Sequence, residues 1–385
     1  MTVRQRQVFY LSGFDPRGAG HYHRLYKTQA AGQKAVNGLD IKVSRRQRLG
    51  ADAHQWWLEA GHTRSRYTFL SWDDIIRAHW AKSWWAILGD LFYCLWAYFA
   101  NGLIFTFARA SYKQMLAGLY PFLYITATLV LAWLAGSGLC RLVQTLPVPP
   151  SLATGLGLTA GTLAGLLILA AAKRLGNRSA VFWLLRIYAF SAKWGKGRLP
   201  ELEPRMAAFG ERIRAALADE RNDEVLVVAH SVGTMLVLPI IARVLAQTDR
   251  RLLANRRLVL ITLGQCIPLI SFQPGARDYR RDLQQLGQDP DLLWLDYTAP
   301  TDGACFPLLD PLSASGLEAA PDCGPYILSP RFFTLYHADR YRKLRRAWYT
   351  MHFLYLMATD KPGPYDYFAF TAGSSPMASR LETPS

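Results

Sequence analysis

The stretch EVLVVAHSVGTMLVLPIIARVLAQ, residues 224–247, holds a strand, a corner and a helix with nothing between them. VLVVAH, residues 225–230, is a continuous apolar run rather than an alternating one, which suits a strand buried on both faces. After Ser231 the apolar residues continue for too long to be a second strand, so a buried helix follows. The join is Ala229-His230-Ser231-Val232-Gly233. A serine with a glycine two residues on, placed between strand and helix, marks a tight corner.

Working outward, the same alternation recurs. Residues 8–11 read as a short buried strand, followed by the Gly-rich loop SGFDPRGAG at 12–20 and a helix over about 23–36. Strands are expected at 41–44 and in RYTFLSW, 66–72. Beyond the middle of the chain, ELEPRMAAFGERIRAALADE has apolar residues at helical spacing, with Pro204 in the first turn, where a missing N–H costs nothing. Strands LVLITLG (258–264) and LLWLDYT (292–298) follow. Val- and Leu-rich strands alternating with helices predict an α/β fold: a mostly parallel sheet covered by helices on both faces. No repeat is visible, and the polar segment 371–385 is expected to be a disordered tail.

Residues 84–190 break this pattern. Three long apolar stretches occur there: WWAILGDLFYCLWAYFANGLIFTFA, GLYPFLYITATLVLAWLAGSGL and SLATGLGLTAGTLAGLLILAAA. Each is long enough for the ~20 apolar residues needed to span a bilayer. The second and third, over about 116–139 and 151–172, are joined by LPVPPS and predict a transmembrane hairpin. Gly157, Gly161 and Gly165 recur at steps of four, a helix-pairing face within the hairpin or between two copies of the chain. The first stretch, 84–108, contains Asp90, Asn101 and many aromatic residues, which favours the headgroup region. The sheet segments on either side, 1–83 and 191–370, must share one side of the membrane, so crossings are even in number. Two are favoured. The alternative is four, with SAVFWLLRIYAF (179–190) completing the set.

Charge gives the orientation. Arg109 and Lys113 precede the hairpin and Lys173, Arg174, Arg178 and Arg186 follow it, whereas its tip carries only Arg141. Lys and Arg accumulate on the cytoplasmic side, which puts the sheet there, in the inner membrane. The start MTVRQRQVFYLSGF leads into a strand and lacks the pattern of a cleavable signal. Five cysteines without CxxC spacing agree with a reducing compartment. The net charge of +16 calls for an anionic partner, and anionic lipid fits. Nucleic acid is disfavoured: the basic clusters at 45–48, 251–257 and 340–346 are scattered and carry no binding motif. Neither a metal-ligand spacing, a dinucleotide fingerprint nor a P-loop occurs, so no cofactor and no metal is expected.

The strand-AHSVG-helix order resembles the nucleophile elbow of the α/β-hydrolases, whose motif is G-x-S-x-G, with Ala229 here at the first glycine. The resemblance covers 8–80 and 195–370, and the insertion has no place in it. It implies a serine nucleophile, Ser231, followed in the chain by an acid and then a histidine. Asp302, just past a strand and before Gly303, is favoured as the acid over Asp296 and Asp310. Two histidines follow it. His352 suits the late position, and His337, at the start of a basic helix, is the alternative base. The resemblance also implies an oxyanion hole from the backbone N–H of Val232 and of Phe14, with Ser12 where many lipases carry His. Arg17, His21 and His23 are candidate substrate contacts, and His230 is expected to be structural. The expected activity is cleavage of an acyl ester or thioester of a lipid or amphiphile. An acyltransferase with the same triad, or a scaffold that has lost catalysis, are the rivals.

Overall fold

The computed structural model describes residues 2–80, 83–254 and 257–380. The chain divides into two compact units: Met1–Trp80, Leu103–Gln114 and Phe190–Ser385 form one, Ala81–Gly102 and Met115–Ala189 the other.

The first unit is built on a mixed, mostly parallel sheet. Among the described residues its strands are β1 (Gln5–Leu11), β2 (Lys42–Val43), β3 (Gln47–Arg48), β4 (Ala53–Ala60), β5 (Thr63–Leu70), β6 (Glu224–His230), β7 (Leu258–Leu263), β8 (Leu292–Tyr297) and β9 (Tyr326–Leu328). Their order is β2-β4-β5-β1-β6-β7-β8-β9, with β3 also paired to β4. The run β5-β1-β6-β7-β8-β9 is parallel throughout; β4 pairs antiparallel with β5, and the short β2 and β3 pair antiparallel with β4 at that edge. Every residue of β6, β7 and β8 is buried, which is why these strands read as unbroken apolar runs.

Both faces are covered. Val8, Tyr10, Leu226, Val228, Val259 and Ile261 point to one side, into a cluster with Tyr22, Tyr26, Tyr67 and Phe368. On the other side Phe9, Val227, Leu260 and Trp294 are equally buried. The helices Leu202–Ala218 and Arg277–Gly287 both pack against Gly233–Gln247. The helix after β1 is longer than expected, Gly18–Asn37, because the glycine loop is already helical at Gly18.

Residues 371–380 are not disordered. Arg6 pairs with Glu224 at 2.7 Å, and its guanidinium also donates to the carbonyls of Gly373 (2.6 Å) and Ser375 (2.9 Å). Glu224 accepts the Met377 N–H at 2.8 Å, and Met377 is buried. The charged pair lies beneath the tail and gives its polar backbone internal partners. Residues 381–385 of the expected tail lie outside the described residues.

In the second unit two helices are long and apolar enough to cross a membrane, Tyr112–Gln144 and Pro150–Arg178. Leu123, Leu131, Trp133, Leu163 and Leu167 are each more than half exposed, as lipid-facing residues would be. The glycine face joins these two helices to each other. A Cβ on Gly157 would stand 2.8 Å from the carbonyl oxygen of Cys140, and one on Gly161 would collide with the carbonyl of Gly136. Tyr124 Oη donates to the carbonyl of Ala172 at 2.7 Å across the same pair. At Gly157 and Gly161 the face is therefore covered within the chain.

The first apolar stretch is bent by 76° between Trp84–Ala100 and Leu103–Ala110, with Gly102 at φ 67° in the break. Its Asp90 is held by Arg186 at 2.7 Å, a charge pair inside the unit. Leu103–Gln114 belong to the sheet-bearing unit, where Phe107 lies 5.5 Å from Phe272 and 5.9 Å from Phe306. Residues 181–194 form a helix of 14 residues that is mostly buried in protein, too short for a crossing by itself.

Candidate active site

β6 ends at His230, and Ser231 takes φ 56°, a left-handed conformation that costs a non-glycine residue ~1–2 kcal/mol. The corner is held by its own hydrogen bonds. The Ser231 N–H donates to Leu263 O at 2.9 Å, and the Ser231 carbonyl accepts the N–H (2.9 Å) and hydroxyl (2.6 Å) of Thr234. Close approach explains the small residues. A Cβ on Gly233 would lie 2.6 Å from Leu11 O, and one on Gly13 would lie 2.7 Å from Ser231 Cβ. The loop after β1 is thus pressed against the serine.

His352 stands in a short helix, Trp348–Phe353, and is wholly buried. Its Nδ1 lies 2.8 Å from Oδ2 and 3.0 Å from Oδ1 of Asp302. Asp302 also accepts the Ala304 N–H at 3.0 Å and the Tyr355 hydroxyl at 3.1 Å. Burial alone would raise its carboxyl, but the charge and hydrogen bond of His352, with the Ala304 N–H, bring it below the usual carboxylate range. An ionised carboxylate only accepts, so the Nδ1 facing it carries a proton, which leaves Nε2 as the nitrogen able to exchange one. Gly264 closes the arrangement. Its φ is +56°, and a Cβ there would stand 3.1 Å from Asp302 Oδ2 and 3.3 Å from His352 Cε1. Because Gly264 follows Leu263, the residue that accepts the Ser231 N–H, one turn after β7 touches serine, histidine and acid.

The other expected residues fall in several places. The Val232 N–H, at the start of the helix after the corner, has no acceptor among the described residues. Phe14 follows Gly13 in the loop against Ser231, its ring buried with Trp72 (6.1 Å), Trp80 (6.1 Å) and Phe190 (5.2 Å). Arg17 grips Asp15 through two nitrogens at 2.8 and 2.6 Å and lies over the Phe353 ring at 5.3 Å, next to the histidine. His21 is half-buried with its ring against Tyr22; burial and then Arg17 lower its proton affinity. His23 turns to Ser44 O (2.9 Å) and the Trp56 ring, away toward the antiparallel edge. His337 is exposed at the N-cap of the helix Ala338–Leu344, its N–H bonded to Asp360, and does not join Asp302. Asp296 faces Thr262, and Asp310 caps the turn at Leu312.

Three residues beside the candidate site were not singled out from the sequence: Tyr355, Gly264 and Cys266. The Cys266 thiol donates to the carbonyl of Ala304 at 3.4 Å, and burial keeps it protonated. Only Gly264, directly after an apolar strand, could have been suspected. Among the described residues no three His, Cys, Asp or Glu side chains are grouped to hold a metal ion. No family model matches the sequence, and neither the curated proteins nor the solved structures offer a match.

Proposed function

We propose that the chain is a membrane-anchored serine hydrolase of the α/β-hydrolase type, with Ser231 as nucleophile, His352 as base and Asp302 as the acid that orients it. The observation that carries this reading is the wholly buried Asp302–His352 pair gathered around the same turn as a serine in left-handed conformation. The chain order supports it: serine after β6, acid after β8, histidine after β9, the Ser-Asp-His succession of that superfamily.

In the proposed reaction Ser231 Oγ attacks the acyl carbon while His352 Nε2 takes the hydroxyl proton. Asp302 stabilises the imidazolium that forms. The carbonyl oxygen becomes an oxyanion that the Val232 and Phe14 N–H groups receive. Collapse breaks the bond to the alcohol or thiol, which leaves with the proton from His352. A water molecule, deprotonated by the same nitrogen, then attacks the acyl-serine and releases the acid. The site has no need of a cofactor in this scheme.

The hairpin ties this chemistry to a bilayer, so an acyl lipid or other amphiphile would reach the enzyme at high local concentration. The basic residues flanking the hairpin favour anionic lipids and a cytoplasmic face, with two crossings. The test is hydrolysis of an acyl-ester series of increasing chain length by the full-length protein in detergent. Ser231→Ala and His352→Ala are expected to lose at least ~10³-fold in kcat/KM. A Ser231→Ala variant as active as wild type would refute the reading. An added alcohol that captures the acyl group would identify a transferase instead.

A further inference from the structure

His230, next to the candidate nucleophile, is wholly buried, and acyl transfer as written makes no use of it. Its Nε2 lies 2.8 Å from the main-chain carbonyl oxygen of His352. A carbonyl only accepts, so the His230 proton sits on Nε2. Burial, and then the charge His352 can carry, push this imidazole down to about 3, so it is neutral at any ordinary pH. Nδ1 is then a bare lone pair, buried, with no hydrogen-bond partner among the described residues. The two imidazoles stand 4.8 Å apart, tilted by 37°. Phe353 and Tyr355 enclose His230 at 5.3 and 6.0 Å, and the carboxylates that act on it are Asp302 and Asp15.

The base needs such a neighbour. His352 lies on a helix of six residues, far from any strand of the sheet in sequence, and Asp302 fixes its ring but not its main chain. We propose that His230 is a positioning residue: its Nε2–H···O=C bond ties the backbone of the base to the corner that carries the nucleophile. The proposal rests on the reading of Ser231 and His352 above. The two bonded residues are 122 positions apart in the chain, yet His230 is covalently joined to Ser231, so a shift of the corner carries the base with it. The residue type follows. The position requires a donor at the reach of Nε2, and that donor must stay uncharged so as not to oppose the imidazolium formed on His352. Lysine and arginine fail the second condition, and asparagine fails the first.

The experiment compares His230→Gln, His230→Asn and His230→Phe in the full-length protein, using a fluorophosphonate probe. Maximal inactivation rate and half-saturating probe concentration are separated, and Ser231→Ala serves as control. Glutamine places an N–H where Nε2 stood, and asparagine is one methylene short. The expected result is a His230→Gln rate within about fivefold of wild type, with His230→Asn and His230→Phe slowed ~100-fold, the effect of a ~1 Å misplacement. Half-saturation should stay within twofold in all three. The Gln/Asn pair carries the comparison even where the Phe variant does not fold. Equal rates in Gln and Asn, whether both fast or both slow, would overturn the tether while leaving the hydrolase reading intact. A wild-type protein that never reacts at Ser231 would remove both.

Discussion

Asp302 has no solvent to stabilise its charge, so its neighbours must do so. His352 Nδ1, the Ala304 N–H and the Tyr355 hydroxyl all converge on it. Asp302→Asn keeps the shape but turns an acceptor into a donor facing Nδ1–H, which forces the imidazole into the wrong tautomer. Ester hydrolysis should fall ~10⁴-fold. His337→Ala, at an exposed helix start, should change the rate less than twofold in the same assay. Asp296 offers a separate test. Its carboxyl is buried, one oxygen takes the Thr262 hydroxyl at 2.5 Å, and burial raises it to about 8. The unfolded chain releases that proton near pH 4, the folded one only near 8. The stabilisation is therefore complete below pH 4 and is lost as pH rises through the window from 4 to 8, by at most ~1.4 kcal/mol per pH unit. Melting of wild type between pH 5 and 8 should show this fall, and Asp296→Asn should flatten it. An unchanged slope in the variant would mean that Asp296 is not the group responsible.

Elements whose causes are local were legible in the sequence; those held by distant partners were not. The strand-corner-helix at 224–247 announces itself through an apolar run and small residues. That Asp302 and His352 would meet was expected only from the chain order of the resemblance, and the structure brings them together at 2.8 Å. β4 was missed because AHQWWLEA mixes polar and apolar residues, although Gly61 at φ 57° turns it straight into β5. The order of 371–380 depends on a pair, Arg6 and Glu224, that only the folded sheet brings together. Glu224→Gln would leave Arg6 buried against a neutral partner and should cost ~3 kcal/mol in thermal unfolding. The glycine face of the hairpin was legible, but whether it met its own chain or another was not, since lipid-facing surfaces look alike from sequence. Gly161→Leu would force the two helices apart. It should lower the melting temperature in detergent, at an overpacking cost of ~1–3 kcal/mol. No change would place the helix contact elsewhere.

Across the whole chain, an apolar insertion stands beside a basic excess. Two helices are long and apolar enough to cross a membrane, and under the proposed function the net charge of +16 would add an attraction to anionic headgroups that salt screens. Deleting 115–178 keeps Leu103–Gln114 with the sheet-bearing unit and should release the protein from membranes after a high-salt wash. Retention would mean that another surface is the anchor. The proposed chemistry depends on one oxygen atom, Ser231 Oγ. Peptide-mapping mass spectrometry of full-length protein treated with a fluorophosphonate should find the phosphonyl mass on Ser231 alone, and no adduct in His352→Ala over the same time. A folded protein that stays unmodified at Ser231, or is modified elsewhere, would contradict it.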